Sequence, residues 1–274
     1  MAQWRSGVAA LLAAFLLNGL AATAPAPAAP RANDTVDVQL VLAVDISYSM
    51  DPDEQALQRE GYAAALISRE FLDALKLGPN GRIAVTYLEW AGENEQRVII
   101  PWTIVDGPDT ARSLSDRILA VPLRRAYRTS ISGALAFSMG QFQASGYKAL
   151  RNVIDISGDG VNNQGPPVTQ VRDEVVKRGI TINGLPLVLK RNANSAMDVP
   201  DLDVYYEDCV IGGAGAFVVP VRAMGEFARA IKTKLVLEVA GVKPKRAPRV
   251  VPVVDPSRIS CTIGERMWQE HWNN

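Results

Sequence analysis

The sequence predicts an α/β fold: a doubly wound, mostly parallel sheet with helices on both faces and one antiparallel hairpin. Three observations carry that expectation. Val38 to Val44 (VQLVLAV) is a near-continuous apolar run, the pattern of a strand buried on both faces. Segments of this kind alternate along the chain with segments whose apolar residues recur at helical spacing. The composition, 274 residues with 48% hydrophobic and 21% charged side chains, is that of a globular chain able to bury a core.

The elements follow in order. After an acidic loop, Gln55 to Leu77 reads as one helix, with Ala64, Ile67, Phe71 and Leu75 at helical spacing, and Gly78-Pro79-Asn80-Gly81 stops it. Arg82 to Trp90 and Gln96 to Trp102 read as two strands joined by a short polar turn. Asp109 to Ala120 and Ser130 to Phe142 read as helices, with Ile131, Leu135 and Met139 on one face of the second. Arg151 to Ile156 is another buried strand. Pro166-Pro167 opens a helix carrying Val168, Val171 and Val175, and Gly179 closes it. Ile180 to Leu189 reads as a strand and Ala216 to Val219 as a short one. Met224, Phe227, Ile231 and Leu235 mark a last amphipathic helix.

The ends have a different texture. Arg5, the short apolar run Val8 to Leu17 and the small-residue stretch AATAPAPAAP form the three-part pattern of a secretory signal peptide, expected over residues 1–28 with cleavage between Ala21 and Ala28, favoured after Ala28; the alternative is an uncleaved membrane anchor. The apolar run is too short to span a bilayer, and no later segment reads as transmembrane. The mature chain is therefore expected outside the cytoplasm, periplasmic or extracellular. There Cys209 and Cys261 are either a disulfide pair or two separate thiols. Residues 241–274 read as a tail, basic and proline-rich over 243–249, with an ending (CTIGERMWQEHW) able to dock back.

Composition also excludes chemistry. With 29 basic against 29 acidic residues, the chain lacks the basic excess of a nucleic-acid binder. Its one His, His271, sits near the C-terminus, which argues against a Ser-His-Asp or Cys-His centre. One His and two Cys are too few for a structural zinc site. Any metal chemistry must use oxygen ligands.

Three fragments supply such ligands. Asp45-Ile46-Ser47-Tyr48-Ser49 follows the first buried strand, Thr129 opens the helix beginning near Ser130, and Asp159-Gly160 follows the strand ending near Ile156. In an open α/β sheet, loops at the carboxyl ends of strands meet in one crevice at the switch point of strand order. Short oxygen ligands converging there suit a hard divalent cation, Mg²⁺ or Mn²⁺. Taken singly, each fragment is ordinary turn or helix-cap chemistry, and Thr129 alone reads as an N-cap. Their joint occurrence points to a metal.

The chain resembles the von Willebrand factor type A (VWA) domain from about Val36 to Ala240, and looks most like the secreted bacterial branch. The resemblance rests on VLAVDISYSM, RTSISGAL and VIDISGDGVNN, and on the order of elements through GAFVVPVRAMGEFARAIKTKL. It implies a Rossmann-like sheet with one antiparallel edge strand. It further implies a metal-ion-dependent adhesion site (MIDAS) of Asp45, Ser47, Ser49, Thr129 and Asp159. In that pattern Ser47 and Ser49 bind directly, while Thr129 and the two Asp exchange between direct and water-mediated contact. Asp155 competes with Asp159 for the third loop, but it lies within the apolar strand.

The expected function is a cation-dependent protein-binding module that engages an Asp or Glu of a partner, with no catalytic residues. One alternative is a metal-dependent hydrolase, for which Glu89 is the only other carboxylate placed nearby. The other is a scaffold whose cation is only structural. Tyr48 and Trp90 either rim the ligand surface or pack. Asp51, Asp53 and Glu54 are expected to serve the following helix N-terminus. Gly212, Gly213 and Gly215 lack the strand-to-helix context of a phosphate loop.

Overall fold

The computed structural model describes residue 1 and residues 35–189, 199–241 and 258–272. The expected signal peptide, beyond its first residue, and the basic stretch 243–249 lie outside the described residues. Five strands form one sheet: β1 (Thr35–Asp45), β2 (Ile83–Trp90), β3 (Gln96–Val105), β4 (Lys148–Gly158) and β5 (Ile180–Pro186), in the order β3-β2-β1-β4-β5. All neighbours are parallel except β2 and β3, so the antiparallel strand is at the edge.

The pleat of β1 divides the core. Val38, Leu40, Leu42 and Val44 face one layer, built with α1 (Pro52–Leu66), α2 (Arg69–Leu75), α3 (Pro108–Leu119) and α7 (Phe227–Ala240). Val41 and Ala43 face the other, built with α4 (Ile131–Ala144), α5 (Val168–Lys177) and the short α6 (Leu202–Tyr205). Alternate residues of a strand point to opposite faces, so a central strand covered on both sides must be apolar throughout. Each fully buried Leu or Val here contributes roughly 1.5–3 kcal/mol.

Three expectations need correction. Gln55 to Leu77 is not one helix. The chain breaks at Ile67, and the Ser68 hydroxyl accepts from Phe71 N–H (3.3 Å) to cap a second, short helix. The apolar spacing continues across this break, which hid it from a periodicity reading. Ala216 to Val219 is not a full strand either. Only isolated bridges join Val218 to Gly184 and Val221 to Leu187, because Pro186 has no N–H to give between the Gly184 and Val188 bonds to this segment. Likewise β5 stops at Pro186 rather than Leu189.

The π-helical turn was not foreseen, and the ending expected to dock back does so as a helix. Tyr206–Val210 forms a π-helical turn directly after α6. A last helix, α8 (Ile263–Trp272), packs on the domain through Ile263, beside Ile259 and Cys261. Cys209 and Cys261 are disulfide-bonded, so the turn and the segment leading into α8 are covalently joined. Among the described residues, no helix is long and apolar enough to cross a membrane.

Candidate metal centre

Strand order reverses at β1, which lies between β2 and β4, so the crevice opens at the carboxyl ends of β1 and β4. Register then sets the geometry. Val44 pairs with Ser157, which puts Asp45 and Gly158 level with each other at that end of the sheet. Gly158 has no side chain because none fits: a Cβ there would lie 2.7 Å from Asp45 Oδ2 and 3.0 Å from the Tyr206 hydroxyl.

The five predicted residues come to one place. Asp45 is fully buried, and its Oδ1 accepts from Ser47 N–H (2.7 Å), which folds the first loop back on itself. The hydroxyls of Ser47 and Ser49 share a hydrogen bond of 2.6 Å. Ser49 Oγ in turn donates to Asp159 Oδ1 at 2.6 Å. Thr129 joins them through the third loop, since a Cβ at Gly160 would sit 3.4 Å from its Oγ1. Its hydroxyl is not spent on a helix cap: Ser130 caps α4, accepting from Gly133 N–H at 3.1 Å.

The second and third loops are tied directly. Thr129 N–H donates to Asn163 Oδ1 (3.0 Å), and Asn163 N–H donates to the Thr129 carbonyl (2.8 Å). The fully buried Asn162 accepts from Ser132 N–H (3.0 Å) and donates to Glu265 Oε1 (2.8 Å). Neither Asn was singled out from sequence, although both stand in the VNN that follows Asp159-Gly160.

This donor set fits a hard dication. Ligand oxygens in adjacent positions on an octahedral ion with bonds near 2.1 Å stand about 3.0 Å apart. The Ser47–Ser49 and Ser49–Asp159 separations need to open by only about 0.4 Å to reach that spacing. Among the described residues no three His, Cys, Asp or Glu side chains cluster as a metal site, so the chemistry rests on hydroxyls with two carboxylates.

The surroundings separate packing from rim. Trp90 is fully buried in the core, whereas Tyr48 is about half exposed and stacks on Tyr127 with ring centroids 4.5 Å apart. The Arg125 guanidinium lies 4.6 Å from the Tyr48 ring and donates to the Tyr48 carbonyl (2.7 Å). Asp51 and Glu54 form a capping box at the start of α1, as their helix-terminal reading requires. Glu89 is fully buried and ion-paired with Arg59 at 2.6 Å. Burial raises its pKa against the pull of that guanidinium.

Asp155 belongs to a different cluster inside the core. Its Oδ1 is 2.7 Å from Lys234 Nζ and accepts from the Tyr62 hydroxyl (3.0 Å). Lys234 also reaches Glu238 Oε1 at 2.6 Å, and Asn183 donates to the same oxygen at 2.9 Å. Burial, with Asp155 adding repulsion, pushes the Glu238 carboxyl up to about 8.

Comparison with solved structures recovers the same architecture. Proximal thread matrix protein 1 from the mussel byssus is 14% identical, with a TM-score of 0.54 over 75% of this chain and 48% of that one. Another structure of that protein, described with a zinc-occupied MIDAS motif, aligns at 14% identity and TM-score 0.50 over the same shares. A von Willebrand factor type A protein from Catenulispora acidiphila aligns at 14% identity and TM-score 0.52, over 75% and 43%. The pilus adhesin SpaC from Lactobacillus rhamnosus GG, in its open conformation, aligns at 12% identity and TM-score 0.52, over 75% and 30%. The chain thus spans less than half the length of these proteins, and at such identities the likeness establishes the fold. No curated protein matches the chain by sequence. The fold is that of a VWA domain, and over residues 35–243 the chain belongs to the family described as "Protein of unknown function (DUF1194)".

Proposed function

We propose that this protein is an exported, divalent-cation-dependent binding module. On this reading Asp45, Ser47, Ser49, Thr129 and Asp159 hold Mg²⁺ or Mn²⁺. When bound, the cation supplies an open coordination position for a carboxylate of a partner protein. The observation that carries the reading is the 2.6 Å chain of oxygens from Ser47 through Ser49 to Asp159, joining two distant loops at the switch point. A MIDAS motif reported with zinc in a protein of the same fold supports a divalent ion.

The side chains around the centre favour an acidic partner. Arg125 lies against the Tyr48 ring, and the Tyr48–Tyr127 stack offers an apolar contact beside it. Arg–carboxylate pairs and exposed aromatics are common anchors in protein recognition. A hydrolase reading finds less support, because the nearby Glu89 is locked to Arg59 instead of facing a substrate. Residues 36–240 form the binding module on this view, with residues 1–28 as an export signal and 241–274 as a C-terminal extension bonded back to the module through Cys261. The Cys209–Cys261 disulfide suits an oxidising compartment.

The test is affinity capture from periplasmic or secreted fractions with Mg²⁺ against EDTA, using the parent chain and Ser47→Ala. A partner retained only by the parent and only with Mg²⁺ is the expected result. Equal retention in EDTA would overturn the proposal.

A further inference from the structure

The last helix, α8, lies beyond the residues the family match covers, yet it touches two of the three candidate metal loops. On the second loop, the Arg128 guanidinium sits 3.2 Å from the centroid of the Trp268 ring. Arg128 immediately precedes Thr129 and is the one non-glycine among the described residues with positive φ (73°). Holding a side-chain-bearing residue there costs on the order of 1–3 kcal/mol, so the surroundings must enforce it. On the third loop, Glu265 accepts from Asn162 Nδ2 at 2.8 Å. The approach is close enough to require Gly264, since a Cβ there would collide with the Asn162 carbonyl and lie 2.6 Å from Val161 Cγ2.

The other end of the segment is anchored as firmly. Cys261 is bonded to Cys209 in the π-helical turn, and Arg258 pairs with Glu207 and Asp208, each at 2.7 Å. That turn begins at Tyr206, whose hydroxyl stands beside Gly158 next to Asp45. The segment 258–272 therefore links the turn behind Asp45, the loop carrying Thr129 and the loop carrying Asp159.

We propose that α8 is a clamp on the metal centre, with Gly264, Glu265 and Trp268 as positioning residues that hold the Thr129 and Asp159 loops at cation-binding separation. The inference rests on the metal reading above and extends it to a helix outside the family's matched span. Partners one shell beyond metal ligands commonly change affinity by about 10–100-fold when removed. Gly264→Ala displaces the helix, and Trp268→Ala removes the ring that holds Arg128. Neither substitution touches a ligand.

The experiment titrates Mn²⁺ into the full chain and both variants, followed by electron paramagnetic resonance of free Mn²⁺. Amide hydrogen exchange is recorded in parallel without metal. Both variants should bind Mn²⁺ about tenfold more weakly, and Trp268→Phe should restore parental affinity. Without metal, exchange should accelerate at residues 128–132 and 159–163 while β1 and β4 stay protected. Release of α8 amides in Gly264→Ala with unchanged loop exchange and unchanged Mn²⁺ affinity would overturn the clamp. If the parent itself binds no Mn²⁺, the metal reading fails, and loop exchange alone then decides whether α8 clamps.

Discussion

Ser49 and Asp159 are 110 positions apart in sequence, and their side chains are joined by a 2.6 Å hydrogen bond. Two strands that are neighbours in space but distant in sequence make that possible. The first loop leaves β1 and the third leaves β4, and the parallel register of those strands sets both loops at one level. The meeting of these loops is a consequence of sheet topology before it is a matter of loop sequence.

Gly158 is the point where this register is most easily disturbed. Gly158→Ala would press a methyl group onto Asp45 Oδ2 and the Tyr206 hydroxyl. The variant should lose about 1–3 kcal/mol of stability through overpacking. It should also lose any stabilisation by Mg²⁺, read as the difference in melting temperature with and without the ion. A Mg²⁺-induced shift equal to the parent's would contradict this account of the crevice.

Lys234 is fully buried between Asp155 and Glu238. Lys234→Met should destabilise the fold by about 3–5 kcal/mol, because it strands two buried carboxyls without their shared cation. Chemical denaturation measures the loss. The combined change Lys234→Met, Asp155→Asn and Glu238→Gln should recover much of it, since neutral groups need no counter-charge.

The same cluster makes stability depend on pH. Glu238 is raised from the ordinary carboxyl value to about 8. A raised acid favours the folded state while protonated, so its contribution is complete below the ordinary carboxyl range and declines as pH rises through about 8. Melting temperatures of the parent should fall from pH 6 to pH 9, and those of Glu238→Gln should fall less. Parallel profiles would show that Glu238 is already ionised at pH 6 in the folded protein, and so is not raised.

Removing the Cys209–Cys261 bond frees a closure of 52 residues. The Cys209→Ser/Cys261→Ser variant should be less stable by about 2–4 kcal/mol in denaturant titration. A difference near zero would mean that Arg258 and the packed residues of α8 hold the segment without the covalent link.

What the sequence conveyed and what it withheld follow a physical division. The sheet and its helices were legible because burial on two faces forces unbroken apolar runs such as Val38 to Val44, and one-sided burial forces helical spacing. The five candidate ligands were legible because each follows or precedes an element whose end could be placed. The break at Ile67 was hidden because apolar spacing persists through it, and only the Ser68 cap marks it. Asn162 and Asn163 were passed over because their partners, Ser132, Glu265 and Thr129, come from other elements. The roles of Lys234 and Glu238 were equally invisible: a Lys and a Glu one helical turn apart read as a solvated pair until the sheet is packed over them.

The most direct test is a calorimetric titration of Mn²⁺ into the full chain and into Asp159→Ala, whose fold should be unaltered because Asp159 lies in a loop at the end of the sheet. The account predicts one saturable site in the parent and none in the variant. Identical isotherms from both chains, or no heat from either, would contradict it.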